Sequence, residues 1–236
     1  MNAQNKKRRA AERALSYVEN GMTIGLGTGS TAAEFIELLG KKVATGLEIE
    51  AVPTSVETAR LAEAAGIPLT TLDEHPHLDL AVDGADEIDD QLRMIKGGGG
   101  ALLREKIVAV ASDHMIIIAD DSKRVGQLGR FPLPVEIISF GAMATKAMIE
   151  AMSEDADVDG PVKLRMGADG RPFVTDNGNY ILDCEFGVIP DPDMLADLIG
   201  LVPGVVESGL FIGLADLAII ASDENLAVLE ANDDDE

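Results

Sequence analysis

Short apolar runs alternate with helical segments through the first half of the chain, and this alternation constrains the fold more than any other feature. Residues 23–27 form an apolar run ending in glycine, and residues 30–39 then repeat apolar side chains at helical spacing. The alternation continues with strand candidates at 47–52, 67–72, 78–82 and 115–119, and helix candidates at 56–65 and 102–111. This pattern predicts an α/β fold, an open and mostly parallel sheet covered by helices.

The composition changes at Phe131-Pro132-Leu133-Pro134. Because these prolines should not continue a helix or a central strand, we expect a domain boundary there. Strand and helix candidates follow at 135–139, 142–152, 162–166, 180–185 and 194–199, and the apolar run 217–220 returns the chain to the first sheet. We predict an α/β domain of residues 1–131 plus 207–236. A smaller α+β domain, residues 132–206, is inserted before the C-terminal strand and is a candidate for oligomerisation.

The 236-residue chain is strongly acidic, with 42 Asp and Glu against 19 Lys and Arg and a formal net charge of −23. This charge repels nucleic acid and anionic membranes, since both bind through lysine and arginine. Acidic residues spread through the chain and repeated at 233–236 favour adaptation to high salt. An ordinary acidic protein is the alternative.

The cysteine count and the N-terminal segment bear on location. A single cysteine, Cys184, excludes an intramolecular disulfide and fits a reducing compartment. The first twenty residues contain no apolar run, which argues against a signal peptide or a membrane anchor. We therefore expect a cytoplasmic protein.

A glycine-rich turn, Gly25 to Thr31, lies where the first strand gives way to a helix. Backbone N–H groups at a helix N-terminus, together with the hydroxyls of Ser30 and Thr31, suit a phosphate. The turn has neither the glycine spacing of a dinucleotide site nor the lysine of a Walker motif. An ordinary tight strand-to-helix connection is the alternative.

Carboxylates follow the apolar run 78–82, in the segment Asp83-Gly84-Ala85-Asp86-Glu87. Open α/β sheets bind ligands at the carboxyl ends of their strands, so Asp83 and Asp86 are candidate site residues. A magnesium site is a rival interpretation, although the segment lacks a full set of oxygen ligands. An exposed acidic loop is the other alternative.

Four glycines follow Lys96 and lead into the helix that carries Glu105. Such a run is entropically costly unless the backbone must approach something closely, and Lys96 can present a cation to an oxyanion. Glu105 lies between Arg104 and Lys106, a setting typical of a surface charge pair. Three ligand-type loops at one edge of the sheet nevertheless favour a role for Glu105 in the site.

Five strings occur in the order GLGTGSTA (25–32), DGADEI (83–88), KGGGGALLREKI (96–107), ADDSK (119–123) and FPLPV (131–135). In this order and spacing they resemble ribose-5-phosphate isomerase, type A. Residues 176–183 resemble the smaller domain of that family. The resemblance covers essentially the whole chain, with mild departures at Gly100 and Leu103.

The resemblance implies an aldose–ketose isomerase of the pentose phosphate pathway that interconverts ribose 5-phosphate and ribulose 5-phosphate without a cofactor or metal. Glu105 would be the base that moves a proton between carbons 2 and 1, and Lys96 with glycine N–H groups would stabilise the enediolate. Asp83 and Asp86 would hold sugar hydroxyls and assist ring opening and the movement of a proton between the two oxygens. The implied substrate contacts are Thr28, Gly29, Ser30, Thr31, Asp83, Gly84, Ala85, Asp86, Lys96, Gly97, Gly98, Gly99 and Lys123, with Lys7 a weaker candidate. Fold relatives imply a homodimer or homotetramer.

Two other functions are weighed against this one. A sugar-phosphate sensor of a transcription regulator would need a DNA-binding module, and the residues before the first strand are too few to form one. An amino-sugar phosphate isomerase or deaminase matches the acidic and glycine-rich segments less well. Residues interpreted as structural are the surface histidines His75, His77 and His114, the buried thiol of Cys184, and the core methionines Met143, Met148 and Met152.

Overall fold

The computed structural model describes residues 1–231, so the acidic cluster 233–236 lies outside the described residues. The α-helices are α1 Ala3–Ala14, α2 Ser30–Val43, α3 Val56–Ala64, α4 Leu102–Val110, α5 Ala142–Met152 and α6 Pro192–Gly200. The strands are β1 Thr23–Leu26, β2 Glu50–Pro53, β3 Leu80–Asp83, β4 Glu87–Ile88, β5 Met94–Ile95, β6 Met115–Asp120, β7 Leu133–Ile137, β8 Val162–Leu164, β9 Tyr180–Cys184, β10 Val205–Ser208, β11 Leu210–Phe211, β12 Leu217–Ala221 and β13 Leu226–Glu230. None of the helices in residues 1–231 has the length and apolar character needed to cross a membrane.

The largest sheet has six strands in the order β13-β12-β6-β3-β1-β2. Its strands run parallel except β13, which pairs antiparallel with β12 at the edge. Ile116 and Ile118 of β6 pack into one core with α1, α2 and α3, whereas Met115 and Ile117 pack into another with α4. The predicted fold class is confirmed, with two strands rather than one closing the chain.

A second, antiparallel sheet has the order β10-β7-β9-β8. Alternate side chains of β7 enter a third core together with Ile149 of α5 and Leu195 of α6. Cys184 of β9 is buried in this core, and burial raises the pKa of its thiol well above the usual range. The limits assigned to the two domains stay a prediction.

Pro134 lies inside β7, which is a central strand of this sheet, so the expectation that the prolines would interrupt it is wrong. The strand also begins at Leu133 rather than at residue 135. In an antiparallel ladder the N and O atoms of one residue face the same neighbour, and the Pro134 oxygen accepts from Gly209 N at 2.7 Å. Because β10 ends at Ser208, proline stands just past the last ladder pair and no strand hydrogen bond is lost.

A third sheet of two-residue strands, in the order β11-β5-β4, was not predicted from the sequence. It crosses from the end of β3 to the second sheet and places Lys96 directly after β5. The Lys96 N–H donates to Gly209 O at 2.9 Å. Two residues are too few to show the alternation of apolar and polar side chains that marks a strand in a sequence. These strands form only because they pair with segments distant in the chain.

Two strand predictions at the β2 edge of the large sheet need correction. Residues 67–72 form no strand; Leu69 makes one isolated bridge to Ala51. Pro68 has no backbone N–H group to donate, which limits the pairing of this segment with β2. The strand predicted at 47–52 begins only at Glu50.

The prediction that Met143, Met148 and Met152 fill the core is wrong for the first two, which are 64% and 37% exposed. Five residues advance a helix by about 500°, so Met143 and Met148 lie about 140° apart on α5. The buried face is formed instead by Thr145 and Ile149, and Met152 packs against its edge.

Candidate active site

The site lies where the strand order of the large sheet reverses. The chain passes from β1 to β2 on one side and later returns to β3 on the other side of β1. The loops that follow β1 and β3 therefore leave in different directions and open a crevice at the carboxyl ends of the strands. The strand order thus brings the glycine-rich turn and the Asp83–Asp86 segment together.

The turn after β1 is built so that the start of α2 faces this crevice. Gly29 precedes the helix with a φ of +106°, a conformation that favours glycine. At Gly27 an added Cβ would lie 2.0 Å from Asp83 Oδ1, so only glycine permits this approach. The first-turn N–H groups of α2 have no carbonyl acceptors within the helix, which makes its N-terminus a phosphate-binding element.

Thr28 is fixed by a cluster of hydroxyl groups that the sequence did not identify. Its Oγ1 lies 2.8 Å from Thr54 Oγ1, 2.9 Å from Ser55 Oγ and 3.1 Å from Thr58 Oγ1. Thr54 and Thr58 also donate to the carbonyls of residues 26 and 27. The cluster therefore fixes the turn after β1 through hydrogen bonds from the loop after β2 and the start of α3. In the sequence, only Ser55 is recognisable, as the N-cap of α3.

Lys96, Asp83 and Glu105 form a buried charged group in the crevice, each at most 5% exposed. The Lys96 ammonium lies 2.9 Å from Asp83 Oδ2 and 3.4 Å from Glu105 Oε1. It also donates to Gly84 O at 2.6 Å. Asp83 Oδ1 accepts from Thr28 N at 3.1 Å and from Gly84 N at 2.7 Å. Asp83 therefore fixes both the lysine and the turn after β1.

The burial of this group shifts its protonation equilibria. Burial raises the pKa of Glu105 to about 8; Lys96 opposes the rise, and the carboxylates of Asp83 and Asp86 add to it. Burial alone would lower the pKa of Lys96, but attraction to Asp83 and Glu105 outweighs it and raises that pKa. Within residues 1–231, Glu105 Oε2 has no hydrogen-bond partner. A carboxyl that titrates near neutral pH can both accept and return a proton.

The glycine run makes the close approaches that its composition predicts. Gly97 and Gly100 have φ values of +101° and +83°. The Gly98 N–H donates to Asp86 Oδ2 at 2.7 Å, and a Cβ on Gly98 would collide with the same carboxylate. A Cβ on Gly100 would lie 2.6 Å from the ring of Phe173. Side chains larger than hydrogen would therefore push the loop out of the site.

The structure brings nearly all of the predicted site residues into one cleft of about 90 Å³. Its lining consists of Thr28, Gly29, Ser30, Thr31, Gly84, Ala85, Asp86, Lys96, Gly97, Gly98, Gly99, Glu105 and Lys123. Asp83 stands behind Lys96 and does not line the cleft, so its predicted contact with sugar hydroxyls stays a prediction. Lys7 reaches the rim, where its Nζ donates to Ser30 Oγ at 2.8 Å.

The alternatives left open by the sequence are resolved at two positions. Glu105 is buried and does not pair with its neighbours, because Lys106 binds Glu207 and the carbonyls of Ser208 and Leu210, while Arg104 binds the loop at 176–177. Asp83 is likewise buried rather than part of an exposed acidic loop. Within residues 1–231, no group of three or more His, Cys, Asp or Glu side chains is arranged to hold a metal ion.

Comparison with known proteins identifies the family. The model of the family described as ribose 5-phosphate isomerase A (phosphoriboisomerase A) matches residues 50–225. The ribose-5-phosphate isomerase A of Parvibaculum lavamentivorans is 55% identical over 231 residues, which cover 98% of this chain and 100% of the relative. The chain belongs to the ribose 5-phosphate isomerase A family. It is an aldose–ketose isomerase, as the resemblance implied.

Other members of the family are similar to this chain over nearly its whole length. The Agrobacterium fabrum relative is 56% identical over 231 residues, covering 98% of this chain and all of that one. A solved D-ribose-5-phosphate isomerase in complex with phospho-erythronic acid superposes with a TM-score of 0.90 at 41% identity, covering 98% of this chain and 100% of the other. The Plasmodium falciparum enzyme gives a TM-score of 0.90 at 38% identity, covering 97% and 99%.

Proposed function

We propose that the cleft beside α2 interconverts ribose 5-phosphate and ribulose 5-phosphate through an enediolate, with Glu105 as the base. The observation that carries the proposal is the buried Glu105–Lys96 pair, 3.4 Å apart, at one end of a cleft whose other end is a helix N-terminus. One end offers a base and a cation to the reacting carbons. The other end offers N–H groups to a phosphate.

The phosphate lies at the start of α2, bound by Ser30, Thr31 and Lys123, and places carbons 1 and 2 beside Glu105. Glu105 Oε2 removes the proton from carbon 2 and returns it to carbon 1, while the proton of the carbon-2 hydroxyl moves to the carbon-1 oxygen with Asp86 as the carrier; the reverse steps regenerate the aldose. The negative charge that develops on the enediolate oxygens is stabilised by Lys96, whose buried ammonium needs no reorganisation. Asp86 contacts the sugar hydroxyls and supports ring opening.

The direct test is a coupled assay of purified protein on ribose 5-phosphate with a chelator present and no metal added. We expect sustained formation of ribulose 5-phosphate. Turnover that requires added metal would contradict the metal-free mechanism. Release of ammonia from an amino-sugar phosphate, with no reaction of ribose 5-phosphate, would favour the deaminase alternative.

Ser30→Ala and Thr31→Ala should each raise KM for ribose 5-phosphate by about tenfold, because a hydrogen bond to a charged group contributes roughly 1.5 kcal/mol or more. Activity on unphosphorylated ribose, which is low, should stay nearly unchanged, since binding energy from the phosphate is lost only when a phosphate is present. Thr45→Ala, just past the opposite end of α2, is the matched control. Equal losses on both sugars would show that the turn shapes the fold rather than the phosphate site.

A homo-oligomer is the assembly that exposed apolar side chains next to the second sheet support, in the loop after β7, on α5 and directly after α6. Phe140, Met143 and Leu201 are 86%, 64% and 78% exposed. They flank one junction, where Ile138 N donates to Gly204 O at 2.9 Å. An apolar patch of this kind is typical of a protein interface, and we assign it to a second copy of the chain. Light scattering should give a multiple of 24.9 kDa for the native protein and a smaller mass for Phe140→Ser.

The single cysteine supports a cytoplasmic location, and the acid excess supports an enzyme that is adapted to high salt and does not bind nucleic acid. With a net charge of −23, self-repulsion destabilises the folded chain in dilute buffer. At molar salt the Debye length falls to about 3 Å, so we expect Tm to rise from low to molar potassium chloride. KM should rise over the same range, because screening weakens the attraction of Lys123 for the phosphate. A flat or falling Tm would contradict salt adaptation and leave the isomerase assignment intact.

A further inference from the structure

The glycine run is held in place by the second sheet, through an arginine that immediately follows β8. The Arg165 Nη1 donates to Gly97 O at 2.9 Å and to Gly98 O at 3.2 Å. Its Nε and Nη2 bind the two carboxylate oxygens of Asp183 at 2.9 and 2.5 Å. The guanidinium is therefore fixed by a bidentate pair on one side and holds two successive peptide carbonyls on the other.

The surroundings of Arg165 restrict it to this position. Its side chain is only 14% exposed, and its guanidinium lies 5.9 Å from the centre of the Phe173 ring. The same ring packs directly against Gly100, and Gly97 O also accepts from Gly100 N at 2.9 Å. Arg165 and Phe173 together support the glycine run, and neither of them belongs to the lining of the cleft.

The carbonyls that Arg165 holds determine where two N–H groups point. In a trans peptide the C=O and the following N–H are antiparallel, so fixing Gly97 O and Gly98 O also fixes the N–H groups of Gly98 and Gly99. The Gly98 N–H donates to Asp86. Within residues 1–231, the Gly99 N–H has no acceptor, and Gly99 lines the cleft beside Lys96.

We propose that Arg165 is a positioning residue for the isomerisation: it fixes two peptide planes so that Gly98 orients Asp86 and Gly99 donates to the enediolate oxygen. The inference rests on the proposed function. Asp183 lies in β9 and Arg165 directly follows β8. The proposal therefore gives the second sheet a part in the chemical step. Within residues 1–231, the side-chain hydrogen bonds of Arg165 go to Asp183, Gly97 and Gly98 and none goes to the phosphate end of the cleft at Ser30 and Thr31.

The test compares Arg165→Ala with Lys163→Ala, a control two residues earlier, inside β8, whose side chain is 59% exposed and paired with Glu185. We expect Arg165→Ala to lose about tenfold or more in kcat, because a displacement of ~1 Å at reacting groups costs up to about a hundredfold. KM should change less than kcat. Millimolar guanidinium should restore part of the activity of Arg165→Ala and leave the control unchanged.

Binding measurements separate positioning from a general effect on folding. Phospho-erythronic acid carries a carboxylate in the place of the reacting carbons, whereas inorganic phosphate occupies only the α2 end. Arg165→Ala should weaken binding of the acid about tenfold and leave the phosphate affinity unchanged. Arg165→Lys keeps the charge but not the planar guanidinium. Its affinity for phospho-erythronic acid should lie between those of wild type and Arg165→Ala.

Three outcomes would overturn the inference or its premise, and they are distinguishable. An active wild type with unchanged kcat and acid affinity in Arg165→Ala would refute the role of Arg165. Equal loss of both affinities without guanidinium rescue would show a structural role only. A wild type that does not isomerise ribose 5-phosphate would refute the proposed function itself, whatever Arg165 does.

Discussion

Glu105→Gln is expected to reduce kcat at least about a hundredfold while KM for ribose 5-phosphate changes little. Glutamine keeps the size of the side chain and its capacity to hydrogen-bond, but it cannot accept the proton from carbon 2. Steady-state kinetics of the purified variant measures the loss. Glu105 lies 3.4 Å from Lys96 and is not among the residues proposed to bind the phosphate. The affinity of the variant for ribose 5-phosphate should therefore be largely unchanged.

The same residue predicts the direction of the pH dependence. The base acts in its deprotonated form, so activity must fall as pH decreases through the pKa of Glu105, which burial raises to about 8. We therefore expect the acid limb of kcat/KM in the wild type near pH 8 rather than near 4.5. This limb should be absent from the residual activity of Glu105→Gln.

Glu57→Gln is the matched control, since Glu57 is exposed on α3 and paired with Arg60. It should behave as wild type in both measurements. Near-normal turnover by Glu105→Gln would remove Glu105 from the mechanism. A wild-type acid limb of kcat/KM near 4.5 would show instead that solvent reaches this carboxyl in the free enzyme.

Lys96→Met should lower kcat by about a hundredfold, because an oxyanion donor contributes roughly 3 kcal/mol to the transition state. The same change leaves Asp83 and Glu105 buried without their cation, and breaking such a group costs about 3–5 kcal/mol of stability. We therefore expect a lower Tm as well, and kinetics should be measured well below it. The loss of Lys96 also removes the attraction that lowers the pKa of Glu105, so the acid limb should move to higher pH.

Lys146→Met provides the control, because Lys146 forms an i,i+4 pair with Glu150 on α5, away from the cleft. Loss of affinity without loss of kcat in Lys96→Met would make Lys96 a ground-state binder. A fall in Tm with normal kinetics would limit its role to stability.

Local signals in the sequence were sufficient for much of the site. An apolar run followed by glycine or aspartate marks a strand end, and parallel strands present such ends at one edge of the sheet. Gly27 and Gly98 approach carboxylates too closely for a Cβ, and the glycines at 29, 97 and 100 have a positive φ. The glycine content of these loops therefore already indicates a close approach, although the sequence does not show which distant residues are approached. The residues directly beside Glu105 indicate only a surface charge pair. Its role in the site is predicted because ligand-type loops precede it in the sequence.

The tertiary structure alone decided which loops meet and what supports them. The strand order places β1 beside β3, and three two-residue strands position Lys96. Thr54, Thr58 and Arg165 support the loops from segments 26 to 68 residues distant along the chain. Periodicity reports only neighbours within a few turns of the same element, whereas these contacts arise from packing between elements. The sequence by itself therefore determined which residues could form the cleft, and the packing of the second sheet decided how its glycine run is held in position.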